Sequence, residues 1–303
     1  MIGEREPFAT KELKGVRYTE NNASSLLEQH LGIIIPSHPK TVVLTPRNRL
    51  ALYKNNENFR RTKRFSLINV VLKDSIKYFG YFSCEFNTCI LRERPNDRNR
   101  TTSFHEVMHA FVDQTNPDIY LEIQSNIAKG LRNHTDFDYE AAEGYYIFEE
   151  GIASWGALEA STLIKGKNVA ARNKEHQGWI ETLLNASKSD SIEQNFKEIN
   201  ERVDAWSKLL DIYSPSYNKN SKKYDKLMKN QAIQGTACGH HFVNQIISKL
   251  GTSGINTADA LNLLVIHPPA SPRMLDQLED PVAYAEELIV YYIRESGRLP
   301  KKN

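Results

Sequence analysis

An α+β fold, with a strand-rich N-terminal part and a mainly helical C-terminal part, is predicted by three observations. Two β-rich runs, residues 40–45 (KTVVLT) and 81–91 (YFSCEFNTCIL), lie in the first third of the 303-residue chain. Beyond residue 103 the apolar residues recur at helical spacing instead of alternating. No internal repeat or low-complexity tract suggests a solenoid or a disordered chain.

Taken in order, residues 1–35 read as an irregular arm with a short helix through Leu26, Leu27 and Leu31. Residues 40–45 form a strand that Pro46 ends. Residues 65–72 are apolar and suit either strand or helix, residues 81–91 form a strand, and residues 94–100 form a polar loop around Pro95 and Asn96. A helix starts at Ser103, which with Glu106 makes an S-x-x-E capping box. Phe104, Val107, Met108 and Phe111 then give it an apolar stripe. Further helices are expected around residues 119–131 and around Glu150. Another carries the stripe Ile192, Phe196, Ile199, Val203, Trp206 and Leu210, capped by Asp190 or Ser191. Residues 214–223 (SPSYNKNSKK) are a loop, and a helix follows from about Lys229 to Leu250, stopping at Gly251. One more follows Asn256 and Thr257, and the last runs from Pro281 to near Gly297. The expected division is residues 1–114 and residues 115–303, together forming one unit.

Composition narrows the function classes. Charged residues at 25% and hydrophobic residues at 40% are ordinary for a soluble globular chain. No apolar run is long enough to span a membrane, and the N-terminal MIGEREPFATKELKG has no apolar h-region, so a cytoplasmic protein is expected. The odd set Cys84, Cys89 and Cys238 suits a reducing compartment. Cys84 and Cys89, five apart on one strand, would face opposite ways as packed thiols. A net charge of +2 does not point to nucleic acid. Two basic runs, Arg60-Arg61-Thr62-Lys63-Arg64 and the set Arg92, Arg94, Arg98 and Arg100, read as solvated surface. The second precedes the helix at Ser103, where it would bias a cleft towards acidic substrate side chains.

The chemistry is concentrated in His105-Glu106-Val107-Met108-His109. This H-E-x-x-H puts two imidazoles on one helix face, one turn apart, where they can bind one Zn²⁺. Glu106 then projects beside the metal's water as a general base. With 9 His and 24 Glu in the chain, about 0.02 chance matches are expected, so accident is a poor explanation. A catalytic zinc needs a third protein ligand and an open position. The segment FEEGIASW, residues 148–155, offers Glu149 and Glu150 on a helix with Tyr145, Phe148, Ile152 and Trp155 on neighbouring turns.

HEVMHAF followed by EEGIASW resembles the gluzincin group of zinc metallopeptidases. The resemblance implies a zincin-like fold, with the zinc cleft between the two parts and the Glu before Gly, Glu150, as the third ligand. It also implies that residues 81–91 are the edge strand lining that cleft, to which an extended peptide adds. Gly239-His240-His241-Phe242-Val243, the PPASP run from Pro268 to Pro272, and Pro281-Val282-Ala283-Tyr284 resemble segments of gluzincin-like bacterial and archaeal proteins. Three departures stand out. Forty residues separate His109 from Glu150, more than in the best-known gluzincins; Ser154 replaces an acidic residue that supports the ligands; and Thr236 stands where relatives often have Tyr.

Rival ligands are weaker. Val112 and Thr115 occupy the Gly and His positions that metzincins require. His134 would serve a protease of the DNA-associated SprT type, but it sits in the polar run NHTD. Glu143 lies seven residues before Glu150 on the same face, as an alternative ligand or a ligand's support. Glu140, Glu143 and Glu149 read most simply as helix-surface charge. The resemblance implies peptide hydrolysis by a Zn-activated water, with an oxyanion donor from the C-terminal part. His240 and His241 are the candidates, and because adjacent helical residues diverge by about 100°, at most one can face the zinc. The competing function classes are an inactive zinc-containing peptide-binding module and a DNA-associated zinc protease.

Overall fold

The computed structural model describes residues 13–55, 80–92, 100–118, 139–165, 174–208, 231–269 and 274–297. Outside them lie the apolar run 65–72, the run 119–131, His134, the loop 214–223, Leu210, residues 270–272, and most of both basic runs. The described chain is mixed α+β: ten α-helices and one small sheet of four short strands. None of these helices is long and apolar enough to cross a membrane.

The sheet has the order β1-β2-β4-β3, built from β1 (Tyr18–Thr19), β2 (Lys40–Val43), β3 (Gly80–Ser83) and β4 (Thr88–Leu91). β2 and β4 are parallel, and the two outer pairs are antiparallel. The expected single strand over 81–91 is instead a hairpin. Cys84–Phe86 form a 3₁₀ turn, and Asn87 takes φ 41°, a left-handed conformation that Asn tolerates better than most residues. The turn is held from outside: the Asn87 side-chain amide donates to Ser37 Oγ, and Gln114 donates to Asn87 Oδ1. Of the two hairpin strands only β3 therefore lies at an edge of the sheet, and β4 is interior. Cys89 lies on β4, fully buried and in register with Phe82, whereas Cys84 is in the turn, so the two do not share a strand.

The helices are α1 (Ala23–Leu31), α2 (Pro46–Asn55), α3 (Arg100–Thr115), α4 (Tyr139–Lys165), α5 (Lys174–Ala186), α6 (Ser189–Lys208), α7 (Gln231–Thr252), α8 (Thr257–Ile266), α9 (Met274–Glu279) and α10 (Pro281–Ser296). Pro46 opens α2 as well as ending the strand before it, as its preset φ suits a first helical turn. α3 starts at Arg100, three residues before the expected cap. Ser103 is fully buried inside the helix and its Oγ has no hydrogen-bond partner among the described residues, so the capping box does not form. The added turn is fixed by tertiary contact, Thr101 Oγ1 lying 2.8 Å from Ser161 Oγ on α4. α7 runs through Gly251, because the left-handed residue that ends it is Gly254 (φ 80°), with Ile255 N–H donating to Leu250 O. α8 and α10 are capped by Asn256 and Asp280, and Gly297 (φ 61°) closes α10.

The core is helical. α4 lies against α3 and α7, α1 packs on both α3 and α4, and β3 packs on α3. Ile192, Phe196 and Ile199 of the α6 stripe are buried, as their spacing predicts. Two C-terminal segments singled out in the sequence meet as packing, the rings of Phe242 and Tyr284 lying 5.6 Å apart; the Tyr284 hydroxyl also donates to His267 O, the residue before Pro268. The tightest approach is between α4 and α7. A Cβ on Gly239 would overlap the Ile147 carbonyl oxygen and come within 2.7 Å of Gly151 Cα; one on Gly151 would lie 2.6 Å from Gly239 Cα. Backbone cannot yield as a side-chain end can. Gly239→Ala is therefore expected to destabilise the fold by about 3 kcal/mol or more, seen as a lower denaturation midpoint. Gly251→Ala, on the same helix with nothing within 4 Å of its new methyl, is expected to stabilise it by about 0.5–1 kcal/mol.

Candidate metal centre

α3 carries His105 and His109 one turn apart, with rings edge to face and centroids 4.8 Å apart. The pairs Thr101–Ser161 and His109–Glu149 show that α3 and α4 run in opposite directions. Gly156 permits that approach, since a Cβ there would press within 2.7 Å of Met108 Cε. α4 is a continuous 27-residue helix, and at this level it delivers Glu150 to the imidazoles. His105 Nε2 and His109 Nε2 are 3.1 Å apart; Glu150 Oε2 is 3.5 Å from the first and its Oε1 3.7 Å from the second. One donor atom from each of the three residues lies within 4.8 Å of the others, so the group could hold a metal ion. Bonds of about 2.0–2.2 Å from a tetrahedral ion to N and O donors place those donors about 3.3–3.5 Å apart; each pair of residues here comes near that spacing, though Glu150 meets the two imidazoles through different carboxylate oxygens.

Glu149 was expected on the surface, yet its Oε1 is 2.8 Å from His109 Nδ1. Accepting the Nδ1 proton fixes the tautomer that leaves Nε2 as a ligand lone pair. Ser154 stands where an acidic support was expected and does not replace it: its buried hydroxyl donates to Gly151 O of its own helix. Glu143 is neither surface charge nor ligand. It accepts a 3.0 Å bond from Arg202, an almost wholly buried guanidinium on α6 that also donates to Gln234. Asp113 was missed altogether. It continues the face of His105 and His109 by one more turn and is only 6% exposed. Its one sequence signal is this repetition of polar residues at i, i+4 and i+8 on an otherwise apolar helix.

Glu106 is 5% exposed. Burial pushes its carboxyl up to about 7, against the pull of both imidazoles and with help from Glu150 and Glu149. Burial likewise raises Asp113 to about 8, with Glu149 adding and His109 opposing. Burial would depress His109, but the charge and hydrogen bond of Glu149, then Glu150 and Glu106, carry it up to about 10. For Glu150, burial is outweighed by the His105 hydrogen bond and the charges of both imidazoles, and its pKa falls below the ordinary value. Without a cation, then, Glu106 and Asp113 hold their protons towards neutral pH, while Glu150 gives its proton up more readily than usual.

α7 contributes Thr236, whose Oγ1 is 3.5 Å from Glu150 Oε2 and donates to Ala232 O at 2.8 Å. The two oxyanion candidates separate. His241 Nδ1 is 3.0 Å from Ser187 O, at the α5–α6 junction. His240 Nδ1 is buried with no partner among the described residues, and burial, then His241, lowers its pKa to about 4, so it is neutral at pH 7. Neither belongs to the ligand group. Of the basic set before α3, Arg92 is exposed; the side chains of Arg94, Arg98 and Arg100 lie outside the described residues. Comparison with protein-family models, curated proteins and solved structures finds no match.

Two outcomes follow. Glu149→Ala is expected to weaken metal binding about 10–100-fold, measured by competition with a chelating dye. For metal-free protein, Glu106 has a folded pKa of about 7 against an ordinary 4.5. Between those values the folded chain holds a proton that the unfolded chain releases, so this group's contribution to stability falls as pH rises through the window. The Tm of Glu106→Gln should gain on the wild type from pH 5 to 8 in chelator, and a constant difference would refute this account of Glu106.

Proposed function

We propose that the chain is a zinc-dependent metallopeptidase of gluzincin type, with His105, His109 and Glu150 as zinc ligands and Glu106 as general base. The reading is carried by one observation: donor atoms of His105, His109 and Glu150 lie within 4.8 Å of one another, with a buried carboxyl alongside. Two imidazoles and one carboxylate are a donor set that suits catalytic zinc. When bound, zinc would make water more acidic and polarise the scissile carbonyl. A divalent cation beside Glu106 also lowers its pKa, converting it from a proton holder to a proton acceptor. Glu106 takes the water's proton at a carboxylate oxygen and passes it to the leaving amine. Glu149 holds His109 by its Nδ1 proton, the task that Ser154 does not perform.

A purely structural site has four protein ligands and no use for a base. Among the described residues there are three candidate ligands and a base, which supports a hydrolase over a zinc-bearing peptide-binding module. The substrate path is expected along β3, whose outer edge no other described strand pairs and whose first residue lies against Glu106. An extended peptide added there would run past the catalytic carboxyl. As the oxyanion donor we assign His240 in preference to His241. It lies four residues after Thr236, on the α7 face that meets Glu150, while His241 is engaged with Ser187.

Purified protein is expected to carry about one equivalent of zinc and to cleave a peptide library in a chelator-sensitive manner. His105→Ala and Glu150→Gln should lose the metal. Glu106→Gln should keep the metal and lose cleavage by at least about a hundredfold. Cleavage that survives in Glu106→Gln would overturn the mechanism, and bound zinc with no cleavage by the wild type would favour the binding module.

A further inference from the structure

Gly80 is the first residue of the edge strand β3, and its backbone is not in the left-handed region, so its conformation does not require glycine. The space around it does. A Cβ there would overlap Oε1 of Glu106 and lie 2.8 Å from its Cγ and 2.9 Å from its Cδ. All three of these nearest atoms belong to one side chain, the proposed general base. β3 packs on α3 through this contact, and Glu106 is almost fully buried beneath it. The strand edge and the carboxyl occupy neighbouring positions because one of them has no side chain.

We propose that Gly80 is a positioning residue for Glu106: its missing side chain lets the edge strand close over the carboxyl and hold it in one place at the head of the substrate path. The inference rests on the peptidase reading for its catalytic consequence but not for its geometry. Glu106 is the movable partner. The overlap falls on the far end of a flexible side chain rather than on backbone, so a methyl at residue 80 displaces the carboxyl and spares the fold. That separates Gly80 from Gly239, where a methyl meets main chain. The three nearest atoms a methyl would meet all belong to Glu106 and none to His105, His109 or Glu150, so the ligand group is expected to stay in place.

The test is a double-mutant cycle on the full chain, with a second readout on the zinc-loaded protein. Gly80→Ala is expected to lower the Tm of the metal-free protein by about 3 °C. In a Glu106→Ala background, where the overlapped atoms are gone, the same substitution should lower it by less than about 1 °C. In the zinc-loaded protein Gly80→Ala should retain one equivalent of metal with unchanged affinity. Its kcat should fall about a hundredfold, as for a misplacement of the order of 1 Å, with KM for the peptide unchanged. An equal loss of Tm in both backgrounds, or no loss in either, overturns the proposal, as does an unchanged kcat. Should the wild type cleave no peptide, the peptidase reading fails while the thermal cycle still decides whether Gly80 positions Glu106.

Discussion

The structure turns on a concentration of negative charge with little access to water. Glu106, Glu149, Glu150 and Asp113 surround two imidazoles between α3 and α4, and Glu106, Asp113 and His109 are each less than 10% exposed. Buried carboxylates are stable only when paired, hydrogen-bonded or protonated. The metal-free chain uses all three solutions: Glu149 and Glu150 lean on the histidines, while Glu106 and Asp113 hold their protons towards neutral pH. A divalent cation offsets the same charge at once. On this account the site is costly to the empty fold and favourable to the loaded one, so metal affinity and folding stability are linked.

Such a cluster needs rigid walls, and glycine supplies them at three contacts. Gly151 and Gly239 bring α4 and α7 together backbone to backbone; Gly156 admits Met108 and seats α3 on α4; Gly80 admits Glu106 beneath the sheet edge. In each case the absent methyl sets the distance between an element that carries a functional group and its neighbour. Functional groups on packed helices are held more accurately than groups on loops. The candidate ligands sit on two long helices of this kind, one of them the 27-residue α4.

How much of this could be read from the sequence depended on how local the determining interaction was. His105, Glu106 and His109 were legible because a helix period and three side chains contain the whole signal. Glu150 needed a second helix, and a short segment of helical pattern was enough to propose it. Glu149, Glu143 and Asp113 were not legible, because a charged residue on a helix looks solvated until its facing helix is known. His109 captures the first and Arg202 the second. The capping box at Ser103 misled for the converse reason: the motif is local, but Ser103 lies inside α3, whose first turn is tied to α4 by Thr101 meeting Ser161 sixty residues away. Asn87 split an apparently uniform β-rich run because its left-handed turn is held by Ser37 and Gln114, neither of them a neighbour in sequence.

The forty-residue interval between His109 and Glu150 looked like a departure that weakened the assignment of Glu150. Its described ends suggest otherwise. α3 continues to Thr115, and α4 begins at Tyr139, so eleven residues of the interval, 139–149, are helix leading into the ligand. Three turns of helix, about 16 Å, project beyond Glu150 and are anchored by contacts a shorter segment would lack. Glu143 meets Arg202 of α6, and Gly144 leaves room for Met274 of α9. Had α4 begun at Glu149, its ligand would lie in a fraying first turn with unsatisfied N–H groups around it. With the extension, Glu150 sits mid-helix, clamped between α3 on one side and the glycine crossing of α7 on the other. The long interval therefore does not loosen the proposed third ligand; the part of it that is helix makes Glu150 rigid.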